Sequence, residues 1–345
     1  MIVNILIFIA VFAVLVLVHE LGHFIAARFF GMQVDEFGVG FPPRLFSRKR
    51  GDTVYSINAI PLGGFVKIAG EDGSEENDMV SPETKKNWFD QKPIWQRVLV
   101  LCGGVAMNFL LGFLILIPVF SFGIPKHIVI SQVAQDSPAS QVGIEAGDFL
   151  EGYNSVNDFI SYVNEHKGEQ ISLQLNRGGK ELNVIATPRT NPPSGEGALG
   201  VGLIEGQTKS VVWYKAIWDA LATAASMFTL IFIMLFKLIA SIVTGGNLFS
   251  QIAGPVGIFQ VTTRAAGFGW IYLANIVALI SINLAALNIF PFPALDGGRI
   301  VFLGIEKIKG SPVSTRVQQW VNSAGFLLII ALLVAVTIQD IHRFF

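Results

Sequence analysis

Apolar residues in this chain gather into a few long blocks rather than the short periodic runs of a soluble domain. Ile2–Val18 is the first, and Ile94–Phe122, broken by Gly103-Gly104, is the second. Phe268–Phe290 and Ala324–Ile338 follow near the end. A helix needs about 20 mostly apolar residues to cross a bilayer, and each block approaches or passes that length. A fifth block, Ala216–Val243, is also apolar but carries Asp219 and Lys237. The pattern predicts an α-helical integral membrane protein. Ile2–Val18 has the apolar core of a signal peptide. However, no Lys or Arg precedes it and it runs straight into His19-Glu20, so it reads as a retained helix rather than a cleaved leader.

Two polar blocks interrupt the helices. Residues 31–93 hold Arg44, Arg48, Lys49, Arg50, Lys85, Lys86 and Lys92, and such clustering in a short loop predicts the cytoplasmic side. Within it, Thr53–Ile60 alternates like a strand, Pro61-Leu62-Gly63-Gly64 reads as a turn, and Phe65–Ala69 reads as a second strand. Residues 123–190 read as a small β-rich domain. It has strands at Ile128–Val133, Ile171–Leu175 and Leu182–Ala186, and a helix where Val156, Phe159, Ile160 and Val163 share one face. The Pro- and Gly-rich stretch 190–197 reads as its exit linker. Four regions result: a membrane part over 1–122, the insert over 123–190, a linker with peripheral or re-entrant helices over 191–267, and a second membrane part over 268–345.

Composition agrees with the blocks. Hydrophobic residues make up 52% of the 345 residues and charged residues 14%, too few charges to cover a soluble globule, where about 25% is usual. Mean hydropathy is +0.57. The net charge of −1 gives no case for a nucleic-acid partner. The single cysteine, Cys102, excludes an intrachain disulfide and a multi-cysteine metal site.

Chemistry concentrates where the first block ends. His19-Glu20-Leu21-Gly22-His23 is an HExxH motif. Residues four apart share a helix face, so both imidazoles can reach one tetrahedral Zn²⁺. Glu20 stands beside that face, where a general base takes a proton from attacking water and returns it to a leaving amine. Ionisable residues at this depth are costly unless they are paired or functional. The alternative is a pair of incidental histidines at a helix end.

A catalytic zinc usually has three protein ligands. His127 and His166 fall in the insert and His342 at the end of the chain, and none is well placed. Asp296 is the better candidate, at the end of Asn288-Ile289-Phe290-Pro291-Phe292-Pro293-Ala294-Leu295-Asp296-Gly297-Gly298. Pro291 and Pro293 must bend or end the preceding helix. One carboxylate also lowers the net charge of a zinc site in low dielectric. The bland reading of Asp296 is a helix cap in a loop.

HExxH in the first span together with NxxPxPxLDGG near the C-terminus resembles the site-2 protease family of intramembrane metalloproteases, most closely its bacterial RseP-like branch. Gly104-Val105-Ala106-Met107-Asn108 looks like that branch's GxxxN motif. Pro61–Lys67 is similar to its membrane-associated β-hairpin. The insert, with Ser137-Pro138-Ala139 and Gly143-Ile144-Glu145-Ala146-Gly147-Asp148, looks like one PDZ domain of the circularly permuted type.

The resemblance implies four transmembrane helices plus a membrane-associated β-hairpin and an inserted PDZ-like domain. It makes His19, His23 and Asp296 zinc ligands and Glu20 the catalytic base, and suggests that Asn288 contacts the substrate backbone; Gly64, Phe65 and Asn108 are further candidates for meeting substrate. It implies a membrane-anchored protein substrate already trimmed by another protease, such as an anti-sigma factor, or a remnant signal peptide. The setting it implies is the inner (cytoplasmic) membrane. The stretch after Gly147-Asp148 is abbreviated against the family, so the insert reads either as a peptide binder or as a steric plug.

Parity constrains the topology. For the HExxH helix and the helix before Asp296 to share a metal at their C-terminal ends, both must run the same way across the membrane. Ala216–Val243 is then peripheral or re-entrant rather than a simple extra crossing, and Ser250–Thr263 is too polar to supply a compensating one. Loop charge puts the active site near the cytoplasmic face and the insert outside. Two rival readings remain. One is a catalytically inactive scaffold of the same fold. The other is a metal transporter, for which the expected paired repeats are not evident.

Overall fold

The computed structural model of the chain describes residues 2–71, 85–193, 195–244 and 254–344. The fold is mostly helical, with two small sheets. In chain order the elements are α1 (Ile2–Phe29), β1 (Val34–Arg50), β2 (Thr53–Ile68), α2 (Ile94–Phe122), β3 (Ile124–Val133), α3 (Pro138–Gln141), β4 (Phe149–Leu150) and α4 (Val156–Glu165). There follow β5 (Ile171–Arg177), β6 (Lys180–Ala186), β7 (Val201–Thr208), α5 (Trp213–Thr244), α6 (Pro255–Phe268), α7 (Trp270–Ile289), α8 (Asp296–Lys309) and α9 (Thr315–Phe344).

Among the described residues, 5 helices are long and apolar enough to cross a membrane: Ile2–Phe29, Ile94–Phe122, Trp213–Ser241, Trp270–Ile289 and Thr315–Ile341. The chain is a multi-pass membrane protein. Sequence parity leaves four crossings, so α5 is the difference. Neither Asp219 nor Lys237 interrupts it, and it runs as one helix of 32 residues.

The chain forms two compact units, Met1–Ile115 with Leu221–Phe259 and Val277–Phe345, and Leu116–Ala220 with Gln260–Ile276. In the first unit, α1 and α2 cross at Gly22 and Gly103. A Cβ added at Gly22 would lie 2.2 Å from the Gly103 carbonyl oxygen, so only a residue without a side chain lets the two backbones approach this closely. Below the crossing, Ala27, Met32, Val34, Ile68, Phe89, Val100, Leu101 and Leu303 form a buried apolar cluster. The cluster ties the first sheet and α8 to α1 and α2. Along α5, Phe228 meets Phe109 of α2 at a ring distance of 5.8 Å, and Phe236 meets Phe290 at 4.9 Å. By Gly254 the chain lies beside Asp340 of α9, which accepts the Gly257 N–H at 2.7 Å.

The first sheet corrects the sequence reading of its strands. The reading pairs Thr53–Ile60 with Phe65–Ala69 across a Pro61–Gly64 turn. The structure instead runs Thr53–Ile68 as one strand against β1, which the sequence reading misses. Gly38, Gly40, Pro42 and Pro43 hide β1, because such residues argue against a strand interior. Register shifts between Val39, Phe41, Arg44 and Phe46 accommodate them. Glu36–Val39 are flanked on both sides, by Gly64–Lys67 and by Val54–Ile57. Gly64–Lys67 therefore forms one margin of the sheet.

The second unit holds a five-stranded antiparallel sheet in the order β6-β5-β4-β3-β7. Ile128, Ile130, Leu150, Phe159, Val163, Ile171, Leu173 and Leu175 fill its core. Ser137 and Ser155 cap α3 and α4, accepting the N–H groups of Ser140 and Asp158. β7 carries the sheet to Thr208, so the insert does not end at 190 and residues 190–197 connect β6 to β7 within it. Gly202 and Gly206 weaken the strand pattern that would have revealed β7. The Val211 N–H donates to the Phe120 carbonyl at 3.0 Å, and Phe122 meets Trp270 at a ring distance of 5.3 Å. The end of α2, the start of α5 and the start of α7 therefore lie together.

Candidate metal centre

His19 and His23 fall on the face of α1 that meets α2, one turn apart and both buried. Three contacts from α2 hold the rings. The Val100 carbonyl lies 2.9 Å from His23 Nδ1. A carbonyl oxygen only accepts, so Nδ1 carries the proton and Nε2 keeps its lone pair for a metal. Gly104 lies directly under both rings: a Cβ there would be 2.5 Å from His23 Nε2 and 2.6 Å from His19 Cε1. Asn108, fully buried, brings its side-chain amide to 3.5 Å from His19 Nδ1.

The Asn108 amide also bears on the His19 tautomer. Its Oδ1 is buried without a hydrogen-bond partner while its Nδ2 faces the ring. Amide oxygen and nitrogen are interchangeable in placement. Turning the group over lets Oδ1 accept the His19 Nδ1–H, which satisfies the orphan oxygen and frees Nε2. The sequence reading has Asn108 meeting substrate; in the structure its side chain is buried beside His19. The GxxxN spacing was visible, but nothing in it distinguishes a residue behind a ligand from one before it.

The third group comes from the far end of the chain. α7 ends at Ile289, Pro291 and Pro293 prevent its continuation, and Asp296 is the first residue of α8. A Cβ at Gly297 would lie 2.2 Å from the Phe290 carbonyl oxygen, so the loop closes this tightly only with glycine there. Asp296 Oδ2 stands 3.2 Å from His19 Nε2 and 3.3 Å from His23 Nε2, and the two Nε2 atoms are 3.1 Å apart.

These three atoms fit zinc. A tetrahedral ion with bonds of about 2.0–2.1 Å sets its ligands about 3.3 Å apart, the size of this triangle. Asp296 Oδ2 is buried and faces the two Nε2 atoms rather than a hydrogen-bond donor of the backbone, a carboxylate oxygen placed to meet a cation. Burial opposes ionisation of Asp296, but its hydrogen bonds to the two histidines and their charge outweigh that and hold the carboxyl below the usual range. Among the described residues, His19, His23 and Asp296 are the one group of this kind with metal-ligating spacing.

The remaining predicted residues divide. Glu20 Oε2 accepts the Val66 N–H at 3.0 Å, so the margin strand reaches the predicted base. Gly64 lies beside Glu20, and a Cβ on it would meet the Gly38 carbonyl at 2.8 Å. The Phe65 ring covers Gly38. Asn288 places Nδ2 3.4 Å from both His19 ring nitrogens. His127 stacks on Phe149 and His166 contacts the Tyr162 carbonyl, both within the insert. The side chain of His342 lies outside the described residues, as do residues 250–253 of the stretch read as too polar to cross.

The profile of peptidase family M50 matches residues 7–332. The chain belongs to this family. Relatives agree over almost their full length. A chain of Clostridium perfringens named as a candidate zinc metalloprotease is 37% identical over 337 residues, covering 96% of each chain. The zinc metalloprotease RasP of Shouchella clausii is 30% identical over 425 residues, covering 99% of each. The regulator of sigma-W protease RasP of Bacillus subtilis is 28% identical over 420 residues, covering 98% of each. The M50 chain is thus a zinc metalloprotease of the site-2 type, built on membrane helices.

Proposed function

We propose that His19, His23 and Asp296 hold the zinc ion of this M50 protease, that Glu20 is its general base, and that it cuts peptide bonds in or near transmembrane segments of membrane-anchored proteins. One observation carries this reading: the triangle of Nε2, Nε2 and Oδ2 formed by α1 and the start of α8, from opposite ends of the sequence. When bound, zinc polarises the scissile carbonyl and makes water a nucleophile at neutral pH. Glu20 accepts the proton of the attacking water and returns it to the departing amine. The Val66 N–H orients the carboxylate through Oε2. Gly64–Lys67, at the margin of its sheet, offers backbone groups to an unwound substrate segment by strand addition. Asn288, beside His19, faces that segment.

The substrate class follows from depth and from the relatives. A site on apolar helices receives segments that are themselves in the membrane. The Bacillus subtilis relative is named as a regulator of sigma-W. A membrane-anchored regulator, first trimmed by another protease, is accordingly the proposed substrate, with remnant signal peptides as a second class. Trapping tests this. Cells whose only copy carries Glu20→Gln should accumulate membrane stubs with trimmed outer domains, identified by proteomics of terminal peptides. An unchanged set of stubs would remove the proposal.

We place the active site near the cytoplasmic face of the inner membrane, because Arg44, Arg48, Lys49 and Arg50 crowd the β1–β2 turn. The insert then lies outside. We read it as a single PDZ-like domain: α4 lines the edge strand β7, leaving a cleft of about 250 Å³ among Val156, Phe159, Ile160, Val163, Leu199 and Val201.

Four full crossings, α1, α2, α7 and α9, suffice. The end of α2 and the starts of α5 and α7 lie together, so the chain between 213 and 270 leaves that end and comes back to it. α6 has 14 residues, about 21 Å, short of the usual span. The reading therefore makes α5 the descending arm of a re-entrant excursion. Cysteines introduced at Lys209 and Trp270 of a Cys102-free protein should react with an impermeant maleimide from the same side. Reaction from opposite sides refutes the topology.

A further inference from the structure

Asp296 is one end of α8, and the geometry points to the other end as what sets its place. We propose that Arg97 and Glu306 are a positioning pair that fixes the register of Asp296 against His19 and His23, an inference that rests on the ligand assignment above.

The problem they solve is mechanical. The start of α8 has no side-chain cap, and Leu295 occupies the capping position. The loop before it is irregular, with Ala294 at φ 70°, a conformation that side chains disfavour. The apolar contacts of α8, through Ile300 and Leu303, join the cluster around Ala27, Val100 and Leu101. Such contacts are non-directional. They hold α8 against α2 but permit it to slide or turn. A slide of 1 Å would spoil a triangle whose sides differ by only 0.2 Å (3.3 − 3.1).

Arg97 supplies the missing direction. Its guanidinium reaches from α2 to the Glu306 carboxylate in a two-pronged bond, Nη1 to Oε2 at 3.1 Å and Nη2 to Oε1. The pair is largely buried, with side-chain exposures of 8% and 17%. A buried ion pair is weak evidence for stability, because desolvation offsets the attraction. A planar fork does, however, fix both distance and orientation. Glu306 lies ten residues along the same helix from Asp296, about 15 Å away, so a rigid helix carries the constraint to the ligand. Arg299 adds a bond to Glu71 near the ligand end.

The location of Arg97 matters as much. Arg97, Val100 and Gly104 are spaced at three and four residues on α2, and so share one face. Val100 accepts the His23 Nδ1–H, and Gly104 seats both rings. One short stretch of α2 therefore references the histidines directly and, through Arg97 and α8, the carboxylate. Two parts of the chain 273 residues apart (296 − 23) are registered against a single ruler.

Zinc affinity of the purified full-length protein, measured by competition with a chromophoric chelator, tests this alongside the melting temperature of the metal-free form. Arg97→Lys keeps the charge and loses the fork. It should weaken zinc binding about 10- to 100-fold, the range for groups that orient ligands, with little change in melting. Arg97→Met with Glu306→Met removes both buried charges. It should melt no lower than either single variant, yet bind zinc at least about 10-fold more weakly than the parent. Parental zinc affinity in either variant overturns the proposal, as does affinity that simply follows melting temperature across the series. His19→Ala is the separate control: parental affinity there would instead indict the ligand assignment.

Discussion

Glu20→Gln is expected to cut peptide hydrolysis by roughly 10²- to 10⁴-fold, the usual contribution of a positioned acid–base group, while one zinc per chain is retained. The reason is the division of labour in HExxH. Gln is nearly the same size as Glu and still accepts the Val66 N–H through its amide oxygen, a contact now made by Oε2 at 3.0 Å. It cannot take a proton from water. Glu20 is also not part of the triangle of His19, His23 and Asp296, so the metal has no reason to leave. The measurement is cleavage of a transmembrane peptide in lipid vesicles, with metal content read by elemental analysis of the same preparation. Undiminished cleavage would remove Glu20 from the chemistry. Loss of zinc would instead make Glu20 part of the metal's support.

Asp296→Ala should abolish both zinc retention and cleavage. It deletes one of three ligand atoms, so the loss of affinity should exceed the roughly 10- to 100-fold typical of changes behind the ligands. Addition of zinc should raise the melting temperature of the parent alone, by mass action on the folded state. A zinc-dependent rise in the Asp296→Ala protein would mean that another group completes the site.

The two predictions differ in how far the sequence reaches toward them. HExxH is local: a four-residue spacing on a helix puts two rings on one face wherever that helix sits. Asp296 is not local. Its candidacy came from a carboxylate at the end of a second apolar block, and the structure supplies the closure, 3.2 and 3.3 Å from the two histidines. Asn108 shows the limit. Its place seven residues after Leu101 was plain, but whether it faces substrate or stands behind His19 depends on how α2 is rotated against α1. The Gly22–Gly103 contact and Gly104 determine that rotation.

The sequence alone determined the membrane class, the long apolar helices α1, α2, α7 and α9, and the shared face of His19 and His23 on α1, because burial in lipid and helical periodicity are written residue by residue. Tertiary structure alone decided the rest. It found β1 despite Gly38, Gly40, Pro42 and Pro43. It carried the insert on to Thr208. It joined Arg97 to Glu306 across 209 positions. Each of these depends on partners far away in the chain. A strand broken by Gly and Pro is stable only once its neighbour is in register, and a buried charge is tolerable only once its counter-charge arrives. No local pattern records either condition.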